Sequence, residues 1–404
     1  MTNRTALISG ASIAGPALAY WLNHFGFDVT VVEAAPAPRP GGYKVDLRGV
    51  AVEAVDRMGI GEAVRARDTA IRGGQWVTTK GKTLATLGPD LIGFRDPGDL
   101  EIMRGDLSDL LREATERTVE YRYGDVITAI EDTPDAAIVH FRHAASQRFD
   151  IVVGADGLHS GTRAVAFGPE DRYSRPIGMS VAVFNAPNRL GLDHWDMACS
   201  ATGHTTNLYA FGPDQPAYAQ LFFPTPAEVP DRHDRAAQER VLREAFGGHG
   251  WELPHLLAAL PEAPELYFDH LAQIHMDTWT SGRTVLLGDA AYCPSPASGQ
   301  GTGMALVGAH VLAHALAAEP DHRAGFAVYE RRMRHFVDIN QKLGRDVAAK
   351  LVPNTRFAAM AQRVMMRMLP YMPGKNAVLE GVMKPIREAA NAIALDETAP
   401  MSLR

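Results

Sequence analysis

The chain has 404 residues, 46% hydrophobic and 22% charged, enough to bury a large core and to divide into two or three domains at about 150 residues each. A formal net charge of −7 without an extended Lys/Arg run excludes the long-range positive field that drives nucleic-acid or anionic-membrane binding. Two distant cysteines, Cys199 and Cys293, exclude a disulfide scaffold and fit a reducing, cytoplasmic compartment, and the N-terminal residues have no export-leader pattern.

In chain order, "ALIS" predicts a short buried strand. "AGPALAYWLNHFG" then places Ala17, Leu18, Trp21, Leu22 and Phe25 at helical spacing before Gly26, and "FDVTVVE" returns as a strand. This strand–helix–strand unit carries "GASIAG" at the helix N-terminus, where free N–H groups and the positive dipole end attract a diphosphate. Gly10 permits the tight turn and Gly15 the close helix–strand packing. Ser12 occupies the middle glycine position of a dinucleotide-binding loop, and Ala14 lies in the same loop. Glu33 ends the second strand, 18 residues past Gly15, placed to accept from ribose hydroxyls. A ligand-free turn is the competing reading, and the conjunction of loop, helix, strand and terminal acid favours a nucleotide.

Two further clusters follow. In "RFDIVVGADGLHSGTR", residues 148–163, a strand delivers Asp156 to a loop containing Ser160 and Arg163. In "GRTVLLGDAAYCPSPASGQGTGMALVGAHVLAHAL", residues 282–316, a strand puts Asp289 at its C-terminal end, and "SGQGTG" opens a long apolar helix from about Met304. Such a strand-end carboxylate can bind a ribityl or ribose hydroxyl, and such a helix N-terminus can receive developing negative charge. The charge-free stretch 294–318 has the length of a membrane span, but Gly299, Gln300, Gly301, Gly303, His310 and His314 interrupt it, so it reads as a buried helix. His310 and His314 are four residues apart without the glutamate of a zinc helix, which favours packing and predicts no metal site.

Between about 171 and 275, "SVAVFNAP", "TNLYAFGP" and "AYAQLFFP" read as strands ended by proline or glycine. Trp195, Met197, Tyr209, Phe211, Gln220 and Phe222 are candidate substrate contacts there, with core packing the competing reading for each. Beyond Ala324 the chain turns helical. "TRFAAMAQRVMMRMLPYM" sets Phe357, Met360, Val364 and Met368 on one side with Arg356, Arg363 and Arg367 nearby, a pattern read as docking onto the core rather than lying on a membrane.

The loop at 10–15, "DGLHSGTR" and "GDAAYCPSPASGQG", in that order and at those separations, resemble the single-component FAD-dependent aromatic hydroxylases of the para-hydroxybenzoate hydroxylase fold. The compact tetracycline-inactivating and polyketide-tailoring flavin monooxygenases are most similar, over about residues 4–350. The resemblance implies an α/β chain: a Rossmann-like FAD-binding domain from 1–170 and 276–350, an inserted β-sheet substrate domain from 171–275 with a contribution from 72–100, and a helical segment at 351–404. It implies FAD against Gly10, Ser12, Ala14, Gly15, Glu33, Asp46, Arg104, Asp289, Pro296, Gly299, Gly301 and Thr302. Arg39 is associated with NADPH or NADH, and Asp156 with both FAD and the nicotinamide cofactor. Tyr292 and Gly303 stand where histidine and asparagine are frequent, implying altered contacts at the flavin's edge. The implied reaction uses NAD(P)H and O2 to hydroxylate a phenolic or polycyclic aromatic through a C4a-hydroperoxyflavin, with no protein nucleophile. A dehydrogenase or reductase on the same fold, without oxygen insertion, is the alternative. The implied protein is a monomer or homodimer without a membrane span.

Overall fold

The computed structural model describes residues 4–38, 41–373 and 375–395. The chain begins with β1 (Thr5–Ser9), α1 (Ala14–His24) and β2 (Asp28–Glu33), followed by β3 (Lys44–Leu47), α2 (Val50–Arg57) and α3 (Gly61–Ala66). Next come β4 (Gly74–Val77), β5 (Thr83–Leu87), α4 (Pro89–Ile92), β6 (Leu100–Met103) and α5 (Arg104–Glu113). β7 (Glu120–Tyr123), β8 (Ile127–Asp132), β9 (Ala137–Phe141), β10 (Gln147–Phe149), β11 (Ile151–Gly154) and α6 (Gly161–Phe167) complete the first part of the nucleotide-binding half. β12 (Ser174–Ala186), β13 (Asp193–Ala201), β14 (His204–Phe211), β15 (Ala217–Pro224), α7 (Arg235–Phe246), α8 (Leu253–Ala259) and β16 (Leu266–Ile274) form the inserted unit. The chain then returns through β17 (Thr280–Ser281), β18 (Thr284–Leu286), α9 (Asp289–Tyr292) and α10 (Gly301–Ala318) to α11 (His322–Leu351), α12 (Arg356–Met368) and α13 (Lys375–Ala390).

One sheet has the order β17-β18-β11-β1-β2-β7, in which β18, β11, β1, β2 and β7 run parallel. Its central strands are apolar throughout because both faces are covered. Along β1, Ala6 and Ile8 join the core shared with α1, α10 and α11, while Leu7 points the other way into the cluster with the β8–β9–β10 sheet. α10 is the central helix of that core and is the one described helix long and apolar enough to cross a membrane. Its residues from Gly303 to Leu316 are buried, so its all-round apolarity serves packing. It starts at Gly301, three residues before the expected Met304. His310 and His314 stack on one another at 3.8 Å within it and pack edge-on against Trp21.

The second sheet has the order β16-β12-β15-β14-β13-β4-β5, so two strands from the 72–100 region extend it. β4 joins by parallel pairing with β13. Two helices, α7 and α8, interrupt the segment read as all-strand and cover one face through Leu242, Phe246, Leu253 and Leu256 against Phe184, Leu208, Leu221 and Phe223.

Tyr292 lies in the core rather than at the flavin's edge, correcting the reading above. Its ring packs 4.8 Å from Trp279, and its hydroxyl accepts from Tyr329 at 3.1 Å. That hydroxyl occupies the space that a side chain at position 308 of α10 would need, 2.1 Å from a Cβ built on Gly308. Gly308→Ala is therefore expected to destabilise the fold by about 2 kcal/mol through overpacking, with Tyr292→Phe in the same chain recovering a measurable part. Thermal unfolding of the two single variants and the double variant checks this coupling.

Candidate active site

Three turns at the C-terminal ends of β1, β11 and β18 touch one another pairwise. Gly10 follows β1 with φ +109°, and a Cβ there would lie 2.4 Å from the Ala155 carbonyl oxygen, so only glycine lets the first and second turns meet. Ala14 lies against Gly288 of the third turn, where an added Cβ would be 3.2 Å from that of Ala14. The second and third turns are joined by Arg163, whose fully buried guanidinium donates to the Ala290 carbonyl at 2.9 Å, to Leu158 O at 2.6 Å and to Glu170 at 2.9 Å.

Around the first turn, Glu33 accepts from the amides of Ala11 and Ala35, each at 2.9 Å, which fixes its carboxylate beside the loop. Arg104 opens α5 and donates to the Ser12 hydroxyl at 2.9 Å, while Ser108 donates to the Ser12 carbonyl at 3.1 Å. These residues line a cleft of about 340 Å³ with Ala35, Ala37, Arg112 and Tyr123. Gly15 sits over the loop, where a Cβ would be 1.9 Å from Gly10 O.

Asp156 is placed differently. One of its oxygens accepts from the Ser160 hydroxyl and the other from Thr162 N at 2.9 Å, Thr162 Oγ1 at 2.8 Å and Ser9 Oγ at 3.3 Å. Both oxygens thus brace the second turn and the start of α6. Arg39 lies outside the described residues.

Around the third turn, Asp289 is the first residue of α9, with an oxygen 3.7 Å from a Cβ built on Gly301, and burial raises its pKa. Pro296 starts a single 3₁₀ turn entered through Ser295 at φ +77° and left through Gly299 at φ +64°. Asp46 on β3 lies 3.7 Å from a Cβ built on Gly299 and accepts from Arg48 at 2.7 Å; burial outweighs that partner and raises its pKa. Gly303 faces α2, where a Cβ would be 3.1 Å from Ala51, so the missing side chain serves helix approach.

The register of the second sheet divides the six candidate substrate residues. Tyr209 pairs with Tyr218, and Asn207 with Gln220; Phe222 pairs with Val181, and Phe211 packs on Tyr209 and Tyr218. This face meets the nucleotide-binding half: Phe222, Tyr267, Tyr43 and Ala297 share one cluster. Trp195 and Met197 pair with Ala210 and Leu208 and pack on the opposite face under α7 and α8, so they are core residues.

Single-sequence reading missed a buried ionic group between the halves. Lys44 on β3 reaches Asp196 on β13 at 2.5 Å and Glu101 on β6 at 3.3 Å, and lies 4.6 Å from the centre of the Tyr209 ring. Burial works against the Lys44 charge, yet the two carboxylates outweigh it and raise its pKa. Arg48, also buried, donates to Phe94 O and Gly93 O at 2.7 and 3.0 Å. His159 of the second turn bridges Glu170 at 2.9 Å and Asp269 on β16 at 3.3 Å. Only the polarity of strands β3 and β6 hinted at these partners, and an exposed strand face has the same pattern.

A family model described as FAD binding domain matches residues 3–338. The chain belongs to that FAD-binding family. A flavin-dependent monooxygenase from an unknown prokaryotic organism is 38% identical over 391 residues, covering 97% of this chain and 98% of the relative. A flavin-dependent monooxygenase of Legionella longbeachae is 36% identical over 343 residues, covering 85% and 88%. The crystal structure of tetracycline destructase Tet(55) superimposes with a TM-score of 0.85 at 36% identity over 98% of this chain and 99% of that one. The fold of Klebsiella pneumoniae HpxO, solved with FAD, is shared at 22% identity and a TM-score of 0.75. The chain is an FAD-dependent monooxygenase.

The FAD-binding family's cofactor suits features independent of that likeness. The helices α1 and α10 both begin without a side-chain cap, leaving N-terminal amides for an anionic or electron-rich partner. Asp46 Oδ1 and Gln300 Nε2 are buried without a hydrogen-bond partner among the described residues.

Lys44→Met leaves Asp196 and Glu101 without their shared cation, and a loss of about 3–5 kcal/mol in chemical denaturation is expected. For His159, hydrogen bonds to Asp269 and Glu170 raise its pKa from 6.5 to about 9 against the cost of burial. Its stabilising contribution is complete below about pH 6.5 and is lost as pH rises through about 9. The Tm difference between the wild type and His159→Gln should accordingly shrink across that window.

Proposed function

We propose that this monooxygenase uses NAD(P)H and O2 to hydroxylate a phenolic or polycyclic aromatic small molecule. The observation that carries the reading is the aromatic face formed by Tyr209, Phe211, Tyr218 and Phe222, turned toward the segment at Pro296–Ser298 that precedes the uncapped end of α10. The likeness to a tetracycline destructase supports a polycyclic phenol as the substrate class.

In this reading Gly10, Ser12, Ala14 and Gly15 present the start of α1 to the FAD pyrophosphate, Glu33 takes the adenosine ribose, and Arg104 adds a cation beside Ser12. Asp289 holds the ribityl side. Asp46, Pro296, Gly299, Gly301 and Thr302 border the isoalloxazine, with the dipole of α10 stabilising negative charge on its pyrimidine edge. Bound FAD supplies electron transfer and oxygen activation. Tyr209, Phe211, Phe222 and Gln220 orient the aromatic substrate, and the apolar wall excludes water that would divert the activated oxygen. Asp156 acts here as a brace for the second turn.

The purified protein should be yellow, oxidise NAD(P)H faster with an accepted substrate, and place one oxygen-18 atom from dioxygen in the product. Glu33→Ala should weaken FAD binding by about tenfold or more. Substrate turnover with an unlabelled product would instead mark a dehydrogenase or reductase on the same fold.

A further inference from the structure

The helix α12 is amphipathic with its faces reversed. Phe357, Met360, Val364 and Met368 are 74%, 56%, 50% and 54% exposed, and no residue of the helix is buried. The half-buried positions are Ala358, Ala359, Gln362 and Met366, of which Met366 packs on the cluster of Ala85, Leu87 and Leu369. The expectation that the large apolar side docks on the core is thus overturned. A water-facing helix ordinarily turns such a stripe inward, and an exposed contiguous one marks a contact surface.

Charge identifies the occupant. From 347 to 379 the sequence carries Lys350, Arg356, Arg363, Arg367 and Lys375 and no acidic residue, in a chain whose net charge is −7. Arg356, Arg363 and Arg367 are spaced by seven and four residues, as are Phe357, Val364 and Met368 one position on. At about 100° per residue the arginines therefore form a stripe along one rim of the apolar face. Tyr371, 85% exposed, follows in the next turn. A second copy of the chain would bring the same arginine stripe and no acid from this segment, whereas an anionic lipid surface supplies both phosphates for the arginines and hydrocarbon for the apolar side chains. We propose that α12 is a peripheral docking surface for anionic lipid bilayers, holding the enzyme at the interface where apolar aromatic compounds concentrate. The local basic segment acts within a Debye length, so the negative charge of the whole chain does not oppose it.

The test is flotation of the full-length FAD-loaded protein with vesicles of phosphatidylcholine alone or mixed with phosphatidylglycerol. Retention on the anionic vesicles should exceed that on neutral ones by about tenfold and fall in high salt. The double variant Met360→Asp, Val364→Asp should lower it by a similar factor, while its flavin absorbance and Tm stay those of the wild type, because both side chains are solvent-exposed. Equal retention on neutral vesicles, or retention unchanged in the double variant, would overturn the proposal. So would a solution dimer abolished by the same substitutions without vesicle binding, which would assign the face to a second copy. These readouts do not depend on which substrate is oxidised.

Discussion

The site depends on close backbone contact among three turns that leave adjacent parallel strands at the same sheet edge. Gly10 under Ala155, Gly288 against Ala14 and Arg163 on Ala290 O set these turns against one another with almost no slack. Strand ends in a parallel sheet converge on one crevice, and the peptide dipoles of α1 and α10 enter it from two directions. Side chains contribute mainly by being absent: a Cβ at position 10 or 15 would close the approach. The Asp156 carboxylate serves the same end, because a braced second turn keeps Ala155 where Gly10 needs it.

The inserted sheet is oriented by charge as well as by packing. Lys44, Glu101 and Asp196 join three strands from both halves in a largely desolvated cluster, and His159 ties the second turn to β16. Burying such groups gains little net stability over apolar packing, but misplacing one partner is costly. The arrangement therefore fixes direction: it sets the aromatic face of the sheet toward Tyr43 and Ala297.

Much of the nucleotide-binding half was legible because its signals are local. A buried strand, a glycine turn and an amphipathic helix occupy about thirty residues in β1–α1–β2, and Glu33 beside the loop follows from their geometry. The inserted half was less legible. Strand identity along 193–211 could be read, but which face Trp195 or Tyr209 takes depends on pairing with distant strands, and a one-residue change of register inverts it. Tyr292 illustrates the same limit, since its place in the core depends on the missing side chain at Gly308 in another helix. The buried role of Arg48 had no sequence signal, because a charged strand residue in a solvated position looks identical.

The crevice also has a history along the chain. Its first wall ends near residue 15 and its last begins at 289, so the ribosome must release nearly three-quarters of the polypeptide before the pieces can close on one another. Long-range strand pairing of this kind pays its loop entropy before it gains contacts. Dinucleotide capture is consequently a late event of maturation, and until it happens the nascent amino-terminal module exposes the apolar edge of β1 that β11 will cover.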